Sequence, residues 1–390
     1  MQKKQINVLH ILSSFGLGGT ERLILYLIQY WDNPNIKLHL CTLFSKDNQK
    51  EEPLLDEIRK FNVPLYRLSL KSWRDFKTFN KLLSIIKTNN IDIVHSHSGV
   101  VEFWGPFLAK IAHVRHIVLT KHHTSHPQQI IKRIQRTISS IFFCNTIIAV
   151  SHTVKKFLIN GYFIHDEKKI NVIYNPVDLN KFHPDQKVRS DLRNELNISE
   201  SDFIVGNTSR FDPMKGHKYF IGAAMLIKQQ IPNAKFLIIV RESDKKICLN
   251  MFPNNELKKS FIIIPPNNYI YKLLQILDLF LFTSVYGEGF GIVLIEAMAS
   301  GIPIVASNIG PTKEIVMDEY NGIVPTPRKW MSKTDWLDIK LLADGVLKIY
   351  KNSNLKNRLI RNGYKSLHSF SIEEYIDNLA QLYISIYRKF

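Results

Sequence analysis

The chain has 390 residues, 45% of them hydrophobic and 22% charged, enough for two or three domains and too apolar for a mostly disordered protein. Lys and Arg outnumber Asp and Glu by 52 to 34, a net charge of +18, which points to an anionic partner: nucleic acid, lipid headgroups or a phosphorylated small molecule. Cys41, Cys144 and Cys248 are scattered, with no CxxC pair or Cys/His cluster; this argues against a disulfide scaffold or zinc module and for a reducing, cytoplasmic setting.

In chain order, Ile6–Leu12 reads as a buried strand. Lys3 and Lys4 precede it as in a signal peptide, but the apolar run is too short and contains Asn7 and His10, so export is not expected. No run reaches the ~18–20 apolar residues of a membrane span. A helix pattern follows at 21–30, then a strand at 38–44, a helix at 73–87 and strands at 91–95 and 116–120. A helix at 128–142 and a strand at 146–150 complete the first half. Such alternation implies a parallel sheet covered by helices on both faces.

The rhythm restarts after 174–185, a segment with Pro176 and Pro184, with strands at 203–208, 235–240, 261–264, 279–283 and 303–306. Two doubly wound α/β domains are therefore expected, joined near residue 180. A last helix, 372–388, is long enough to pack on either. Through Asn180 the chain holds 24 Lys/Arg against 13 Asp/Glu, so +11 of the charge and 11 of the 14 His lie in the first half. The 73–87 helix (Trp73, Phe76, Phe79, Lys77, Lys81) and the 128–142 helix (Lys132, Arg133, Arg136) could lie on a membrane surface. The simpler reading packs the apolar face of each on the sheet.

Several constellations could carry chemistry. Gly16-Leu17-Gly18-Gly19-Thr20-Glu21 turns the first strand into a helix, and such a turn lets backbone amides approach an anion. It is not the dinucleotide fingerprint, whose last glycine would fall on Glu21. Arg210 and Lys215, in Ser209–Gly216 after a strand, suit a diphosphate. Glu288 lies in the glycine loop Tyr286-Gly287-Glu288-Gly289-Phe290-Gly291. Glu296 lies in the apolar helix that follows, and a buried carboxylate there needs a partner such as ribose hydroxyls or a cation. The amides of Phe290, Gly291 and Ile292 would face a phosphate. His95-Ser96-His97-Ser98-Gly99 and Thr120-Lys121-His122-His123-Thr124-Ser125-His126 end two strands and suggest a cleft lining. Without a third, carboxylate ligand or a DxD motif they do not make a metal site.

Together and in this order, these motifs resemble the retaining nucleotide-sugar glycosyltransferases of family 4, over about residues 7–322. GLGGTER, Ala149-Val150-Ser151, VIYNPVD at 172–178, SRFDPMKG at 209–216 and EGFGIVLIEAMASGIPIVAS carry the likeness, above all Glu288 and Glu296 with seven residues between them. The resemblance implies an α/β GT-B fold: two Rossmann-like, doubly wound parallel-sheet domains facing across a cleft. Residues 1–180 would form the acceptor-side domain and 181–370 the donor domain, with a helix at 371–390 returning to the first.

It also implies an enzyme that moves a hexosyl group from a nucleotide-diphosphate sugar to a glycan or lipid-linked acceptor, in cell-surface polysaccharide or lipopolysaccharide synthesis. Glu296 would hold ribose, Glu288 the sugar, and Arg210 and Lys215 the diphosphate, without a metal or other cofactor. Gly16, Gly18, Gly19, Gly289, Phe290, Gly291 and Ile292 would complete the donor site. His122 or His123 would line the sugar, and His95, His97 and Lys121 the acceptor side. The location expected is cytoplasmic, at the inner membrane face if the basic half meets anionic lipid.

The chain departs from the family pattern at Val240-Arg241-Glu242, at Gly310-Pro311-Thr312-Lys313-Glu314 and at Pro325-Thr326-Pro327, which bears on donor identity. Two other readings stand beside this one: a GT-B sugar-nucleotide epimerase, and a non-catalytic nucleotide-binding protein. Exposed aromatics interleaved with Lys/Arg for nucleic acid are not evident.

Overall fold

The computed structural model describes residues 5–16, 18–45, 52–72, 74–97, 99–125, 129–266, 269–326 and 338–388. In chain order the elements are β1 Ile6–Leu12, α1 Gly19–Tyr30, β2 Ile36–Thr42, α2 Leu55–Ile58, β3 Leu65–Arg67, α3 Phe76–Thr88, β4 Ile93–Ser96, α4 Val101–Ile111, β5 His116–Lys121, α5 Ile130–Ile138, β6 Thr146–Ala149, α6 His152–Tyr162 and β7 Ile170–Val172. There follow α7 Gln186–Glu195, β8 Phe203–Asn207, α8 His217–Gln230, β9 Ala234–Ile239, α9 Glu242–Leu249, α10 Asn255–Lys259, β10 Phe261–Ile264, α11 Ile270–Gln275, β11 Leu279–Phe282, α12 Ile292–Ala299 and β12 Ile304–Ala306. The chain closes with α13 Thr312–Ile315, α14 Ile339–Tyr350, α15 Ser353–Ser366 and α16 Ile372–Arg388. It divides into two compact units, Met1–Pro176 with Ile372–Phe390, and Val177–Ser371.

The first unit is built on a parallel sheet in the order β3-β2-β1-β4-β5-β6-β7. β4 and β5 are buried along their whole length and β1 everywhere but at half-buried Asn7, as sheets covered on both faces require. On one face Val8, Ile93 and Val118 meet Ile24 and Leu27 of α1 and Leu379 and Tyr383 of α16. The stripe Ile372, Ile376, Leu379, Tyr383, Ile386 is what α16 buries. On the other face α4 lies so close to β4 that a Cβ on Gly105 would come within 2.1 Å of Ser96 Oγ.

The second unit has the parallel order β10-β9-β8-β11-β12, with Val205, Phe236, Leu279 and Leu281 packed against Phe220 of α8 and Val346 of α14. The main strands lie where their apolar runs put them, with ends shifted by a residue or two. β3 and β7 have only three residues each, too few to show a pattern. The helix read at 73–87 begins at Phe76, where Asp75 accepts the Thr78 amide and caps it; Trp73 lies outside the described residues, as do Lys3, Lys4, Leu17, Ser98, His126, Gln128 and Pro327.

The two basic helices differ. α3 buries Phe79, Leu82 and Ile86, the packing expected of an ordinary amphipathic helix. In α5 no residue is buried, which corrects the expectation that its apolar face packs on the sheet. Arg136 turns inward to Glu102, 3.6 Å away, and the isoleucines face out. Among the described residues no helix is long and apolar enough to cross a membrane.

Candidate functional site

In the second unit, β8 and β11 are neighbours, and the loops at their carboxyl ends are tied together. Asn207 accepts the Ser209 amide on Oδ1 (3.0 Å) and reaches Thr283 Oγ1 with Nδ2 (3.3 Å). Thr283 Oγ1 in turn donates to the Lys215 carbonyl at 3.0 Å, and the Val285 amide donates to Met214 at 2.8 Å. Asp212 caps the short turn at Pro213–Lys215 through the Met214 amide. Gly216 then turns at φ +66°, and a Cβ there would sit 2.0 Å from the Thr283 carbonyl oxygen, so only glycine fits.

These ties bring together two residues that the sequence keeps apart. Lys215 Nζ lies 2.6 Å from Glu288 Oε2, with side chains 14% and 10% exposed, and Ser284 Oγ donates to the same oxygen at 3.0 Å. Arg210 stays at the surface, 3.4 Å from Asp212. Gly291 takes φ +103° as the N-cap of α12. Gly289, Phe290 and Gly291 are buried there and Ile292 is half-buried. Glu296 is buried on the same helix, one turn past its start. Arg241 is exposed at the head of α9, and Glu314 is half-buried in α13.

In the first unit the turn before α1 is anchored by a carboxylate. The Phe15 amide donates to Glu52 Oε1 at 3.1 Å, and Arg67 pairs with the other Glu52 oxygen. Gly16 has open space around it, Gly18 is the N-cap of α1 and Gly19 its first residue. The histidines at the strand ends form a buried cluster. His10 Nδ1 lies 3.0 Å from His97 Nε2, and His10 Nε2 3.2 Å from Tyr383 Oη. His95 Nδ1 lies 2.6 Å from Tyr383 Oη and its Nε2 2.6 Å from Thr120 Oγ1. β1 and β4 pair with His10 opposite His95, which sets both rings on one face of the sheet.

Burial pushes the His10 imidazole down to about 3. It also holds His95, His97 and His122 well below the usual histidine range, helped by the neighbouring rings. All four are thus neutral at pH 7. His10, His95 and His97 each bring a ring nitrogen within 4.8 Å of the others, the group of three among the described residues that could hold a cation. The paired-His reading had no third ligand because His10 comes from a different strand. His122 is half-buried and stacks on His97 at 5.9 Å between ring centres, whereas His123 is exposed.

Against this geometry stand the likenesses to known proteins. Two family models match: Glycosyltransferase Family 4 over residues 17–181, and Glycosyl transferases group 1 over residues 188–366. The chain belongs to the family 4, group 1 glycosyltransferases. It is 27% identical to the UDP-Gal:alpha-D-GlcNAc-diphosphoundecaprenol alpha-1,3-galactosyltransferase of Escherichia coli, over 98% of this chain and 97% of that protein. It is 24% identical to N-acetyl-alpha-D-glucosaminyl L-malate synthase of Bacillus anthracis, over 91% and 85%. Anabaena Alr3699/HepE, solved with UDP and glucose, has the same fold, with a TM-score of 0.82 at 20% identity over 98% of this chain and all of that one. This GT-B fold is the two-domain architecture expected.

In this glycosyltransferase, residues that sequence reading passed over are partners of ones that it named: Glu102 of Lys121, His10 of His97 and Tyr383 of His95. Lys121, assigned to the acceptor side, is buried: its Nζ lies 2.5 Å from Glu102 Oε2 and 3.0 Å from Tyr162 Oη. His95 and His97 are buried with it. Burial alone would raise the Glu102 carboxyl, but Lys121, Arg136 and the Gly99 amide outweigh it and hold the group below the usual range. Glu102 could have been flagged as a lone acid in an apolar helix; Glu52, His10 and Tyr383 carry no comparable signal. Lys121→Ala should cost about 3–5 kcal/mol in urea unfolding because it strands Glu102 in the core. A surface-type loss below about 0.5 kcal/mol would mean that water reaches the pair.

Proposed function

We propose that this glycosyltransferase moves a hexosyl group from a UDP-sugar to a glycan or lipid-linked acceptor with retention of configuration and without a metal ion. Its setting is the cytoplasmic face of a membrane, in cell-surface polysaccharide or lipopolysaccharide assembly. The observation that carries the reading is the Lys215–Glu288 pair at 2.6 Å, set at the carboxyl ends of two neighbouring strands, where open α/β sheets take their ligands. UDP is favoured because the Escherichia coli relative is named for UDP-Gal and HepE was solved with UDP.

In this reading Glu296 takes the ribose hydroxyls, and the amides of Phe290, Gly291 and Ile292 face the diphosphate from the α12 N-terminus. Lys215 has three ammonium hydrogens; Glu288 takes one, which leaves others for phosphate oxygens. With Arg210 it offsets the charge that grows on the leaving diphosphate, the task a metal ion performs elsewhere. Glu288, fixed by Lys215 and Ser284, accepts from sugar hydroxyls. The bond from the anomeric carbon to the diphosphate oxygen breaks while the acceptor oxygen bonds on the same face. The acceptor's proton leaves with the diphosphate. Of the two histidines we favour His122 for the sugar, because its ring is held by stacking on His97 while His123 is exposed.

Thermal unfolding with UDP, GDP, ADP or TDP in a chelator-containing buffer tests the donor side. UDP at ~100 times its dissociation constant should add about 2.7 kcal/mol, and Glu296→Ala should abolish the gain. Stabilisation by another nucleotide only would reassign the base. A response that needs added Mg²⁺ would overturn metal independence. Release of UDP from a UDP-sugar should require added acceptor, whereas an epimerase would act on the donor alone.

A further inference from the structure

We propose that α5 and the turn after it dock this enzyme on an anionic lipid surface, with an isoleucine stripe entering the headgroup layer. At 100° per residue, Ile130, Ile131, Ile134 and Ile138 fall in an arc of about 100°, and they are 74%, 72%, 53% and 38% exposed. Phe142, in the wide turn Ser139–Phe143, is 68% exposed. Arg133 and Lys132, both exposed, flank the stripe about 60° and 100° beyond its two edges, and Arg136, opposite it, is tied to buried Glu102. A helix of a soluble domain turns its apolar stripe to the core. Here the stripe is turned out and a basic residue anchors the helix from behind.

The neighbouring elements extend the same surface. α4 packs beside α5 and the turn, and its Phe103 and Phe107 stack at 5.5 Å between ring centres, with Phe143 5.8 Å from Phe107. Ile111 at the end of α4 is 47% exposed. α3, α4 and α5 carry Lys77, Lys81, Lys87, Lys110, Lys132, Arg133 and Arg136, and their one acid is Glu102, buried and paired. Helices so basic, whose one acid is already paired, disfavour docking against a second copy of themselves. An aliphatic stripe flanked by Lys and Arg, with no acid to repel phosphate, fits an anionic headgroup layer.

The proposal extends the lipid-linked acceptor reading and is tested apart from it. The full chain is sedimented with vesicles of phosphatidylglycerol or of phosphatidylcholine. The wild type should bind the first and not the second, and about 0.5 M salt should weaken binding as charges are screened. Ile131→Asp with Ile134→Asp, and separately Lys132→Glu with Arg133→Glu, should each weaken binding about 10-fold or more, with circular dichroism and UDP stabilisation unchanged. Vesicle binding that the isoleucine pair leaves intact, or none to phosphatidylglycerol, overturns the proposal. So does a solution dimer that the isoleucine variant splits without any vesicle binding, since a second copy then covers the stripe. Vesicle binding without UDP stabilisation would keep the docking surface and remove the donor reading.

Discussion

Lys215→Ala is expected to lower kcat for sugar transfer by about 10²–10³-fold, the usual cost of removing one preorganised charge from a transition state. The argument rests on what Lys215 faces. Its backbone is held by Thr283 on one side and Gly216 on the other, and its ammonium by Glu288, so it does not have to be ordered as the reaction proceeds. Charge on the diphosphate is larger at the transition state than in the bound donor, so kcat should fall more than KM rises. If the pair only braces two loops, Lys215→Ala will unfold at lower temperature while kcat of the folded fraction stays near wild type. Lys215→Arg, which keeps the charge, should recover part of kcat under the first account and is not needed under the second.

The second large effect is on acid stability. His10, His95, His97 and His122 are neutral in the folded unit because burial disfavours their charged forms. In the unfolded chain each returns to about 6.5. The unfolded state therefore binds more protons below pH 6.5, and stability falls as pH falls until each folded-state value is reached, about 3 for His10. At pH 5.5, a unit below that unfolded value, each such histidine costs on the order of 1 kcal/mol, so the four together can consume a large share of the ~5–15 kcal/mol that holds a domain folded. Above about pH 8, where the unfolded histidines are neutral as well, the four contribute almost no slope. Urea unfolding at pH 7.5 and 5.5, followed by the fluorescence of the five tryptophans, among them Trp31, whose ring centre is 6.4 Å from that of Tyr383, measures the difference. Equal midpoints at the two pH values would show that protons reach the cluster without opening it.

Much of the architecture could be read from residue order alone, because strands buried on both faces are written as uninterrupted apolar runs. Ile6–Leu12, Phe261–Ile264 and Ile372–Arg388 end where the apolar pattern ends. β3 and β7 escaped because three residues, most of them half-covered, are too few to show a periodicity. For the site, the glycines around Glu288 and the carboxylate in apolar α12 marked the right loops. The pairing of Lys215 with Glu288 across 73 residues could not be seen, since it depends on β8 and β11 being neighbours. Lys121 was read as lining the acceptor side with the histidines, and its buried ammonium answers the charge of Glu102. The orientation of α5 was also hidden: an amphipathic pattern gives the angle between the two faces and not which one turns inward.

The first unit is interrupted by the whole of the second, and α16 closes it only after Ser371. During synthesis on the ribosome the apolar face of α1 and the sheet beneath it must wait, uncovered, while Val177–Ser371 is translated. Tyr383 then supplies the missing hydroxyl between His10 and His95. The half of the chain made first is thus the half that matures last, and a product stopped short of Ile372 would expose a sticky sheet face and an open histidine cluster to the cell's proteases and chaperones.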